Sequence, residues 1–465
     1  MTTQAGRREL LGLLSLGGAF APLAACFAQP ADHPTHIYSR DDSAYAAHQQ
    51  GYNKRLNLLP RYIALCQSAE HIQQALQLAR TEGLKVAVRS GGHCFEGFSS
   101  NDGGLVVNVS LMKKIRWLNA DTVDIEAGCT LQEIQAALFA RRRLLPSGSC
   151  GSVGISGLTL GGGYGFFSRK FGLTCDSLLD LSMVAPSGKL VDGKSDPELL
   201  WACKGGGNGS FGVVNSLRFK TQAMPLRFDS HVMKFRNLDV ARFEQALRAW
   251  FALGDKLPPH GFSAFVLNGK TLTVLVTGYE PGAELRRLIA PLRALATSTE
   301  STLQTDLPKA MRRYYGRQGP INFKNASAGL YSGLADILRV HRALFEQVVS
   351  HPGIVFQINT LGGRIADPAF EQASCYPHRH LPYLGELQAY WEKDGAGAGL
   401  TRAFESIQAL FRDNGVSAHY ANYPDIGFKH WEHSYYGDNY PRLQQLKRRY
   451  DPGDLLHHPQ SVRPS

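Results

Sequence analysis

One histidine follows a pair of glycines at a point where the chain must turn sharply. Residues 84–88 have the pattern of a short strand, and Gly91-Gly92-His93 comes soon after it. Two adjacent glycines let the backbone turn tightly and approach a bulky ligand closely. Successive N–H groups in such a turn form an anion-binding concavity suited to a pyrophosphate. The motif therefore places the His93 imidazole beside any such ligand, although alone it is equally typical of a plain structural turn.

A cysteine begins a second glycine-rich stretch further along the chain. Cys150-Gly-Ser-Val-Gly154-Ile-Ser-Gly157 continues into Gly161-Gly-Gly163-Tyr-Gly165. A dinucleotide-binding Rossmann loop would need G-x-G-x-x-G and an acidic residue about 20 positions later. This stretch lacks the last glycine, and no such acidic residue is evident. Cys150 is either a small buried apolar residue, the usual role of cysteine, or a second group beside the same ligand.

The two loops together resemble the berberine-bridge-enzyme-like flavoproteins of the vanillyl-alcohol oxidase/p-cresol methylhydroxylase superfamily. The resemblance rests on R-S-G-G-H at residues 89–93 and on G-x-C-x-x-V-G-x-x-G at residues 148–157. It extends to residues 196–213, to Tyr420-Ala-Asn-Tyr423-Pro-Asp425 and to residues 450–461. In that family, the histidine bonds to the flavin 8α-methyl group and the cysteine to flavin C6. The resemblance thus implies FAD, attached covalently through His93 and Cys150.

The matched blocks also imply the rest of the flavin site. Besides the two attachment residues, the cofactor is expected to contact Arg89, Ser90, Gly91, Gly92, Gly148, Ser149, Val153, Gly154, Gly157, Gly161, Gly162, Gly163, Tyr164, Gly165, Gly212, Val213, Tyr420 and Asn422. Two covalent bonds would hold the flavin without a surrounding cage, so the substrate cleft can be wide and open. They should also raise the reduction potential of the flavin and favour the oxidation of alcohols.

A tyrosine in the carboxyl-terminal block is the expected catalytic base. By resemblance, the second tyrosine of Y-x-N-Y, Tyr423, faces the substrate. A tyrosine has a pKa of about 10 in water, so a base at neutral pH needs a neighbour that lowers it. If residues 420–423 form a strand, Asn422 points away from Tyr423 and serves the flavin or the backbone. The structural alternative is a packed pair of aromatic rings.

A second polar group is expected from the middle of the chain. Period-two spacing places Glu386, Gln388 and Tyr390 on one face of a strand. They follow Tyr376-Pro-His378-Arg379, which is similar to the F/Y-x-H-R block of the family, and family members carry an acidic residue or glutamine near here. Glu386 is therefore the expected helper base or orienting group, with Gln388, Tyr390 and Tyr423 contacting substrate. A surface glutamate is the alternative.

The residue three positions after the cysteine bears on the electron acceptor. In the family this residue lies beside flavin C4a, where oxygen must arrive; valine there resembles the oxidases, and leucine or isoleucine the dehydrogenases. Here it is Val153. The resemblance therefore implies an oxidase that takes hydride from an alcohol, sugar or secondary metabolite and passes electrons to molecular oxygen, giving hydrogen peroxide. The alternatives are a dehydrogenase that reduces a quinone or other acceptor, and a non-catalytic exported binding protein.

The order of predicted elements favours an α+β fold with two parts. By resemblance, residues 56–225 form most of a two-part PCMH-type FAD-binding domain, which residues 418–465 complete. Alternating segments and interleaved helical stretches in residues 226–417 predict a substrate domain with an antiparallel sheet backed by helices. Ser68 is expected to cap a helix over 68–80, and Thr130 and Glu133 to form a capping box. In the substrate domain the patterns predict strands over 227–235, 263–267, 272–279 and 354–361, and helices over 240–253, 283–296, 334–349 and 398–412.

The first 28 residues are typical of an export signal. Arg7-Arg8 precedes an apolar run that is too short to span a bilayer. The paired arginines favour twin-arginine export, which carries folded proteins and therefore suits a protein that binds its flavin before it crosses the membrane. Glu9-Leu10 departs from the sequence preferred after the arginine pair, so the ordinary secretory route is the alternative. Leu23-Ala-Ala-Cys26 resembles a bacterial lipobox, whose cysteine receives a lipid. The alternative is a simple cleaved signal in which the cysteine has no role. We expect a periplasmic or extracellular protein, tethered by lipid if Cys26 is modified, in which residues 29–55 form an exposed leader.

The composition is that of an ordinary globular protein. The 465 residues suffice for two or three domains, and 43% are hydrophobic, 19% charged, with a net charge of +11. The charge is scattered apart from runs at 141–143 and 447–449. No nucleic-acid motif accompanies them, so no nucleic-acid partner is expected. The resemblance implies a small-molecule substrate and oxygen as partners. Besides Cys26 and Cys150, the other six of the eight cysteines show no CxxC metal spacing and are expected to be mostly buried thiols.

Overall fold

The computed structural model describes residues 35–280, 282–317, 319–392 and 395–465. The export signal predicted for residues 1–28, with Arg7-Arg8 and Cys26, lies outside these residues. Across the described chain, no helix is both long and apolar enough to cross a membrane. The seven cysteines of the described chain are free thiols.

A four-stranded sheet lies at the start of the amino-terminal part. Its strands are β1 (His36–Ser39), β2 (Tyr62–Leu65), β3 (Val86–Arg89) and β4 (Leu105–Asn108). They are arranged in the order β1-β2-β4-β3; β4 pairs in parallel with β2 and β3, and β1 pairs antiparallel with β2. Because β3 ends at Arg89, the chain leaves the sheet directly into the Gly91-Gly92-His93 turn, as predicted.

A five-stranded antiparallel sheet completes this part. Its strands are β5 (Ile115–Trp117), β6 (Thr122–Glu126), β8 (Leu178–Val184), β9 (Leu190–Asp192) and β10 (Val213–Lys220), in the order β5-β6-β10-β8-β9. A two-residue strand β7 (Arg143–Leu144) pairs with β11 (Gln222–Ala223).

Short helices connect and cover these strands. They are α1 (Tyr45–Gln49), α2 (Ala69–Thr81), α3 (Leu131–Ala140), α4 (Ile155–Leu160), α5 (Ser168–Phe171) and α6 (Pro197–Ala202). The predicted cap of α2 is confirmed, since the Ser68 side chain accepts a hydrogen bond from the His71 N–H. At α3 the Glu133 carboxylate accepts from the Thr130 backbone N–H at 2.7 Å, which is one half of the predicted capping box.

Residues 35–55 are not the exposed leader expected from their polar composition. Strand β1 adds to the first sheet, with His36 opposite Leu65. Tyr45 is buried, and its hydroxyl donates to the Pro60 carbonyl at 2.7 Å. Asn53 is also buried and donates to the Phe95 carbonyl at 2.8 Å. A few anchoring side chains in a polar segment are enough to pack it against the domain, which average composition does not reveal.

The end of the chain returns to the amino-terminal part. Helices α14 (Trp431–Tyr436) and α15 (Tyr440–Tyr450) precede a tail that pairs with strand β3. The Val86 N–H donates to the Leu455 carbonyl at 2.8 Å, and the His457 N–H donates to the Val86 carbonyl at 3.1 Å. The tail therefore lies along the strand that leads into the His93 turn.

The middle of the chain forms a seven-stranded antiparallel sheet. Its strands are β12 (Arg227–Phe235), β13 (Gly261–Asn268), β14 (Thr271–Gly278), β15 (Ser298–Asp306), β16 (Asn322–Tyr331), β17 (Ile354–Thr360) and β18 (Tyr383–Trp391). The order is β15-β12-β14-β13-β17-β18-β16. The four strands predicted from period-two patterns are confirmed. β15 and β16 were not predicted, because β15 is almost wholly exposed and β16 almost wholly buried, so neither alternates.

Helices cover one face of this sheet, and the other face is left for a cavity. The helices of this part are α7 (Val240–Gly254), α8 (Ala283–Leu295), α9 (Leu307–Arg312), α10 (Leu334–Leu338), α11 (His341–Ser350), α12 (Pro368–Gln372) and α13 (Gly397–Asp413). The single helix predicted over 334–349 is two helices. Along β13, Phe265 and Leu267 pack into the core with the helices, whereas Phe262, Ala264 and Val266 line the cavity.

Candidate active site

A cavity of about 1340 Å³ lies between the amino-terminal part and the seven-stranded sheet. It exceeds the roughly 300–1,000 Å³ of an ordinary small-molecule pocket, so it has room for a large cofactor and a substrate together. Of the residues predicted from the sequence, those that line it are Ser90, Gly91, Gly92, His93, Gly148, Ser149, Cys150, Val153, Gly154, Gly157, Tyr164, Gly165, Gly212, Glu386, Gln388, Tyr390, Tyr420, Asn422 and Tyr423.

Two glycines bring the histidine and cysteine loops into direct backbone contact. A Cβ added at Gly91 would clash with the backbone of Gly154, and one added at Gly154 would clash with Gly91 and with the Ser90 hydroxyl. Only glycine allows two main chains to approach this closely. The contact places His93 and Cys150 in the wall of one cavity.

The His93 ring is held in one orientation. It stacks on the Tyr52 ring, with the ring centroids 3.8 Å apart and the planes 23° from parallel. Burial lowers the pKa of His93 to about 4, because the charged imidazolium is poorly solvated there. At neutral pH the ring is therefore neutral, and one of its nitrogens carries a free lone pair, which a nucleophile requires.

The Tyr420–Tyr423 segment is a tight turn and not the strand that was expected. The Tyr423 N–H donates to the Tyr420 carbonyl at 2.9 Å. Asn422 nevertheless serves the backbone, as predicted: its amide donates to the Leu158 carbonyl at 2.9 Å and to the Tyr420 hydroxyl at 2.9 Å. That hydroxyl in turn accepts from the Gly163 N–H at 2.9 Å. The turn thus fixes the glycine loop behind the cavity.

Five residues predicted to contact the cofactor lie outside the cavity wall: Arg89, Gly161, Gly162, Gly163 and Val213. The Arg89 guanidinium instead donates to the carbonyls of Ser99 and Gln49. The three glycines pack against Tyr376, Tyr420, Asn422 and Thr174, where Gly162 and Gly163 have positive φ. Val213 is a core residue of β10, and its neighbour Val214 lines the cavity. These residues support the site without touching it.

Tyr423 is one end of a chain of hydrogen bonds that leads to two side chains on the cavity face of β17. Its hydroxyl lies 2.9 Å from the Tyr164 hydroxyl, which accepts from the Asn359 amide at 3.1 Å. The side-chain oxygen of Asn359 accepts from the side-chain amide of Gln357 at 2.8 Å. Either tyrosine hydroxyl can donate in this pair, and the Tyr164 hydrogen can point at Tyr423 while the Tyr164 oxygen accepts from Asn359. Gln357 and Asn359 were missed in the sequence, although two polar residues at period two in the apolar strand Ile354–Thr360 were a usable signal.

The base expected at Tyr423 is not supported by its surroundings. Burial, followed by the nearby Glu386 carboxylate, raises the pKa of Tyr423 well above its ordinary value. No cation was found beside its hydroxyl within the described chain that would reverse this. A tyrosine in this setting stays protonated at neutral pH and can hold a substrate oxygen by a hydrogen bond.

Glu386 has the properties of a base at neutral pH, which Tyr423 lacks. It lies on the cavity face of β18 beside Gln388 and is only 7% exposed, so it is not a surface glutamate. Burial raises its pKa to about 7, and the hydrogen bond with Gln388 offsets a part of that rise. A carboxyl group with a pKa near neutrality is suited to accept a proton, and Glu386 is therefore the stronger candidate for the base.

Replacing Glu386 with glutamine should change how the stability of the protein depends on pH. The folded protein binds the Glu386 proton more tightly than the unfolded chain, whose carboxyl has a pKa near 4.5. The resulting stabilisation is complete below pH 4.5 and is lost as pH rises through about 7. Between pH 5 and 8, Glu386→Gln should therefore gain up to about 3 kcal/mol relative to wild type, measured by denaturant unfolding. The exposed Glu405→Gln is the control; an equal pH dependence in both variants and wild type would contradict the account.

The glycine-lined half of the cavity fits FAD. A Cβ added at Gly157 or Gly209 would meet no neighbouring protein atom within 4 Å, so the bare backbone faces open space in the cavity wall. Asn208, in the same wall, has a buried side-chain oxygen without a partner in the described chain. Bare backbone and unpaired polar atoms are what a cofactor with a pyrophosphate and polar ring edges requires.

Comparison with known proteins defines the class of this fold and site. A family model described as "FAD binding domain" matches residues 60–194, and one described as "Berberine and berberine like" matches residues 419–463. An uncharacterized FAD-linked oxidoreductase of Bacillus subtilis, YgaK, is 30% identical over 92% of this chain and 96% of its own. The chain belongs to the berberine-bridge-enzyme-like FAD-linked oxidoreductases, and it is an FAD-binding enzyme.

One further relative and two solved structures have informative names. Xylooligosaccharide oxidase of Thermothelomyces thermophilus is 29% identical over 92% of each chain. The solved xylooligosaccharide oxidase from Myceliophthora thermophila matches with a TM-score of 0.83, covering 93% of this chain and 97% of that one at 25% identity. Aclacinomycin oxidoreductase matches with a TM-score of 0.85, covering 93% and 100% at 23% identity, which shows the common fold.

Proposed function

We propose that the protein is an oxidase that removes hydride from a hydroxyl-bearing carbon of a saccharide and passes the electrons to molecular oxygen, giving hydrogen peroxide. The observation that carries this proposal is that one cavity is lined by His93 and Cys150 together with Glu386 and Tyr423. FAD would lie against the glycine loops, covalently attached to His93 and Cys150, and it would supply the hydride acceptor.

The chain's own residues have separate tasks in this proposal. The Glu386 carboxylate accepts the proton of the reacting hydroxyl group. Tyr423 holds the substrate oxygen: when Tyr164 donates to the Tyr423 oxygen, the Tyr423 hydrogen is left for the substrate. Glu386 is almost fully buried and Tyr423 is partly buried, which strengthens both interactions. An intact set of these groups argues against a binding protein without catalysis.

The lining of the substrate half favours a sugar among the alcohol, sugar and secondary-metabolite substrates. It combines flat aromatic side chains with amide side chains, namely Phe166, Phe262, Tyr314, Phe323, Tyr390 and Trp391 with Asn325, Gln357, Asn359 and Gln388. Rings can cover the apolar faces of a sugar, and amides can both donate to and accept from its hydroxyl groups. Two relatives whose names specify xylooligosaccharides and chitooligosaccharides agree with this choice. A panel of xylo-, cello- and chito-oligosaccharides, assayed for hydrogen peroxide, tests it; turnover of none of them would contradict it.

Val153→Leu should slow the reaction of the reduced flavin with oxygen. Val153 lines the cavity and packs against the core of the amino-terminal part. An extra methylene in a closely packed wall would obstruct an approach scarcely wider than dioxygen. A barrier of about 1.4 kcal/mol would slow reoxidation about ten-fold. Stopped-flow mixing of photochemically reduced enzyme with oxygenated buffer measures the rate without any substrate.

The matched control for this test is Val153→Ala, which should not slow reoxidation. Unchanged reoxidation of Val153→Leu would show that oxygen access is set elsewhere. Slow reoxidation of the unaltered enzyme, together with fast turnover on a quinone or dye, would make it a dehydrogenase.

Export through the signal at residues 1–28, with or without a lipid on Cys26, stays a proposal that rests on the sequence alone. Cell fractionation of the full chain, with Arg7-Arg8 replaced by lysines as the comparison, tests the route.

A further inference from the structure

One hydroxyl group lies between the side chains of the two residues that would hold the flavin. The Ser152 Oγ is 3.0 Å from the His93 Nε2 and 3.8 Å from the Cys150 Sγ. The second distance is ordinary for a hydrogen bond that involves sulfur, whose radius is larger than that of oxygen. Within the described chain, His93 Nδ1 has no hydrogen-bond partner.

The position of Ser152 is set by the backbone on both sides of it. The Gln132 N–H donates to the Gly151 carbonyl and the Leu131 N–H to the Val153 carbonyl, each at 2.9 Å. The Gly151 N–H donates to the Tyr315 carbonyl at 3.0 Å. The Ser152 hydroxyl is therefore presented to His93 by a fixed turn, while Tyr52 stacking fixes the imidazole.

We propose that Ser152 is a positioning and proton-relay residue for the covalent attachment of the flavin. The Nε2–H of neutral His93 donates to the Ser152 oxygen, and the Ser152 hydrogen points to the Cys150 sulfur. This one orientation leaves the lone pair on Nδ1, free to form a bond, and it gives the Cys150 sulfur a hydrogen-bond donor as the sulfur attacks. A single hydroxyl thus prepares both attachment atoms.

The proton balance of attachment explains why a relay is useful. When Nδ1 bonds to the 8α carbon, one C–H bond of the methyl group and the Nε2–H bond break. Two protons leave, and two electrons reduce the flavin itself. When the Cys150 sulfur bonds to C6, the protons of the thiol and of C6 leave, again with two electrons for the flavin. Oxygen, the acceptor in the proposed function, reoxidises the flavin each time. Ser152 accepts the Nε2 proton and releases its own hydroxyl proton to solvent, which also takes the protons from the methyl group, the thiol and C6.

The test compares variants of Ser152 that differ only in the hydroxyl group. Ser152→Val and Ser152→Thr have nearly the same shape, and only threonine keeps the hydroxyl. Full-length protein is isolated, incubated with excess FAD in air and sampled over time. Total bound flavin is read from absorbance, and attachment from flavin mass on the His93 and Cys150 peptides after acid precipitation.

The proposal rests on the two covalent bonds of the proposed function, and the result separates the two ideas. We expect Ser152→Val to bind a normal amount of flavin but to attach it roughly 10²-fold more slowly on both peptides, within the range for positioned proton-transfer groups. Ser152→Thr should restore attachment. If Ser152→Val attached flavin at the wild-type rate, the proposed role of Ser152 would be overturned, and the covalent attachment would stand. A wild type without flavin on either peptide would overturn the attachment itself, and this inference with it.

Discussion

Tyr423→Phe and Glu386→Gln are each expected to slow the reduction of the flavin by substrate about 10²- to 10⁴-fold, the usual range for positioned acid–base groups. Phenylalanine removes only the hydroxyl that holds the substrate oxygen, so the packing of the ring against Phe95 should survive. Glutamine keeps the size of Glu386 but cannot accept the proton. Anaerobic stopped-flow of the flavin absorbance measures both rates.

The pH dependence separates the two roles. In the wild type, the rate of reduction should rise with pH through about 7, because the Glu386 carboxyl group must be ionised to accept a proton. Tyr423→Phe should keep this rise, and Glu386→Gln should lose it. Tyr390→Phe is the matched control: its hydroxyl accepts from the Asn325 amide at 2.9 Å on the same cavity face, and its loss should weaken binding more than it slows reduction. A rise near pH 7 that persists in Glu386→Gln would return the base to Tyr423 or to another group.

The second large effect concerns attachment of the cofactor. His93→Ala and Cys150→Ala should each leave one covalent bond, and the double variant should release all of its flavin on acid precipitation. Cys94→Ala is the control, since Cys94 is also a free thiol in the cavity wall. Burial raises the pKa of Cys94 to about 11, so its thiol is not ionised and should not attack the flavin. Loss of attachment in Cys94→Ala would contradict the assignment to Cys150.

Local patterns were enough to predict the elements that carry the site. The Ser68 cap, the strand that ends at the His93 turn and the cavity face shared by Glu386, Gln388 and Tyr390 all follow from periodicity and backbone chemistry. The motifs of the two glycine loops predicted that His93 and Cys150 line one site. Spacing alone could not do this, and the prediction came from the resemblance to a family whose fold is known.

The rest depends on contacts between distant parts of the chain. Tyr52 reaches His93 only because residues 35–55 pack onto the domain, and Ser152 reaches it because Gly91 and Gly154 allow two loops to touch. The high pKa of Tyr423 arises from burial that no local pattern shows. Arg89 lies within a matched motif, yet its side chain turns away to carbonyls of residues outside it. A motif predicts position along the chain more reliably than it predicts the direction of a side chain.

A peptide map of the unaltered protein tests the central claim without knowledge of the substrate. The full chain is expressed with its flavin, precipitated with acid, digested and analysed by mass spectrometry. The structure and the family predict flavin mass linked to the peptides that contain His93 and Cys150. Flavin that leaves entirely with the acid supernatant, with both peptides at their unmodified masses, would contradict the account.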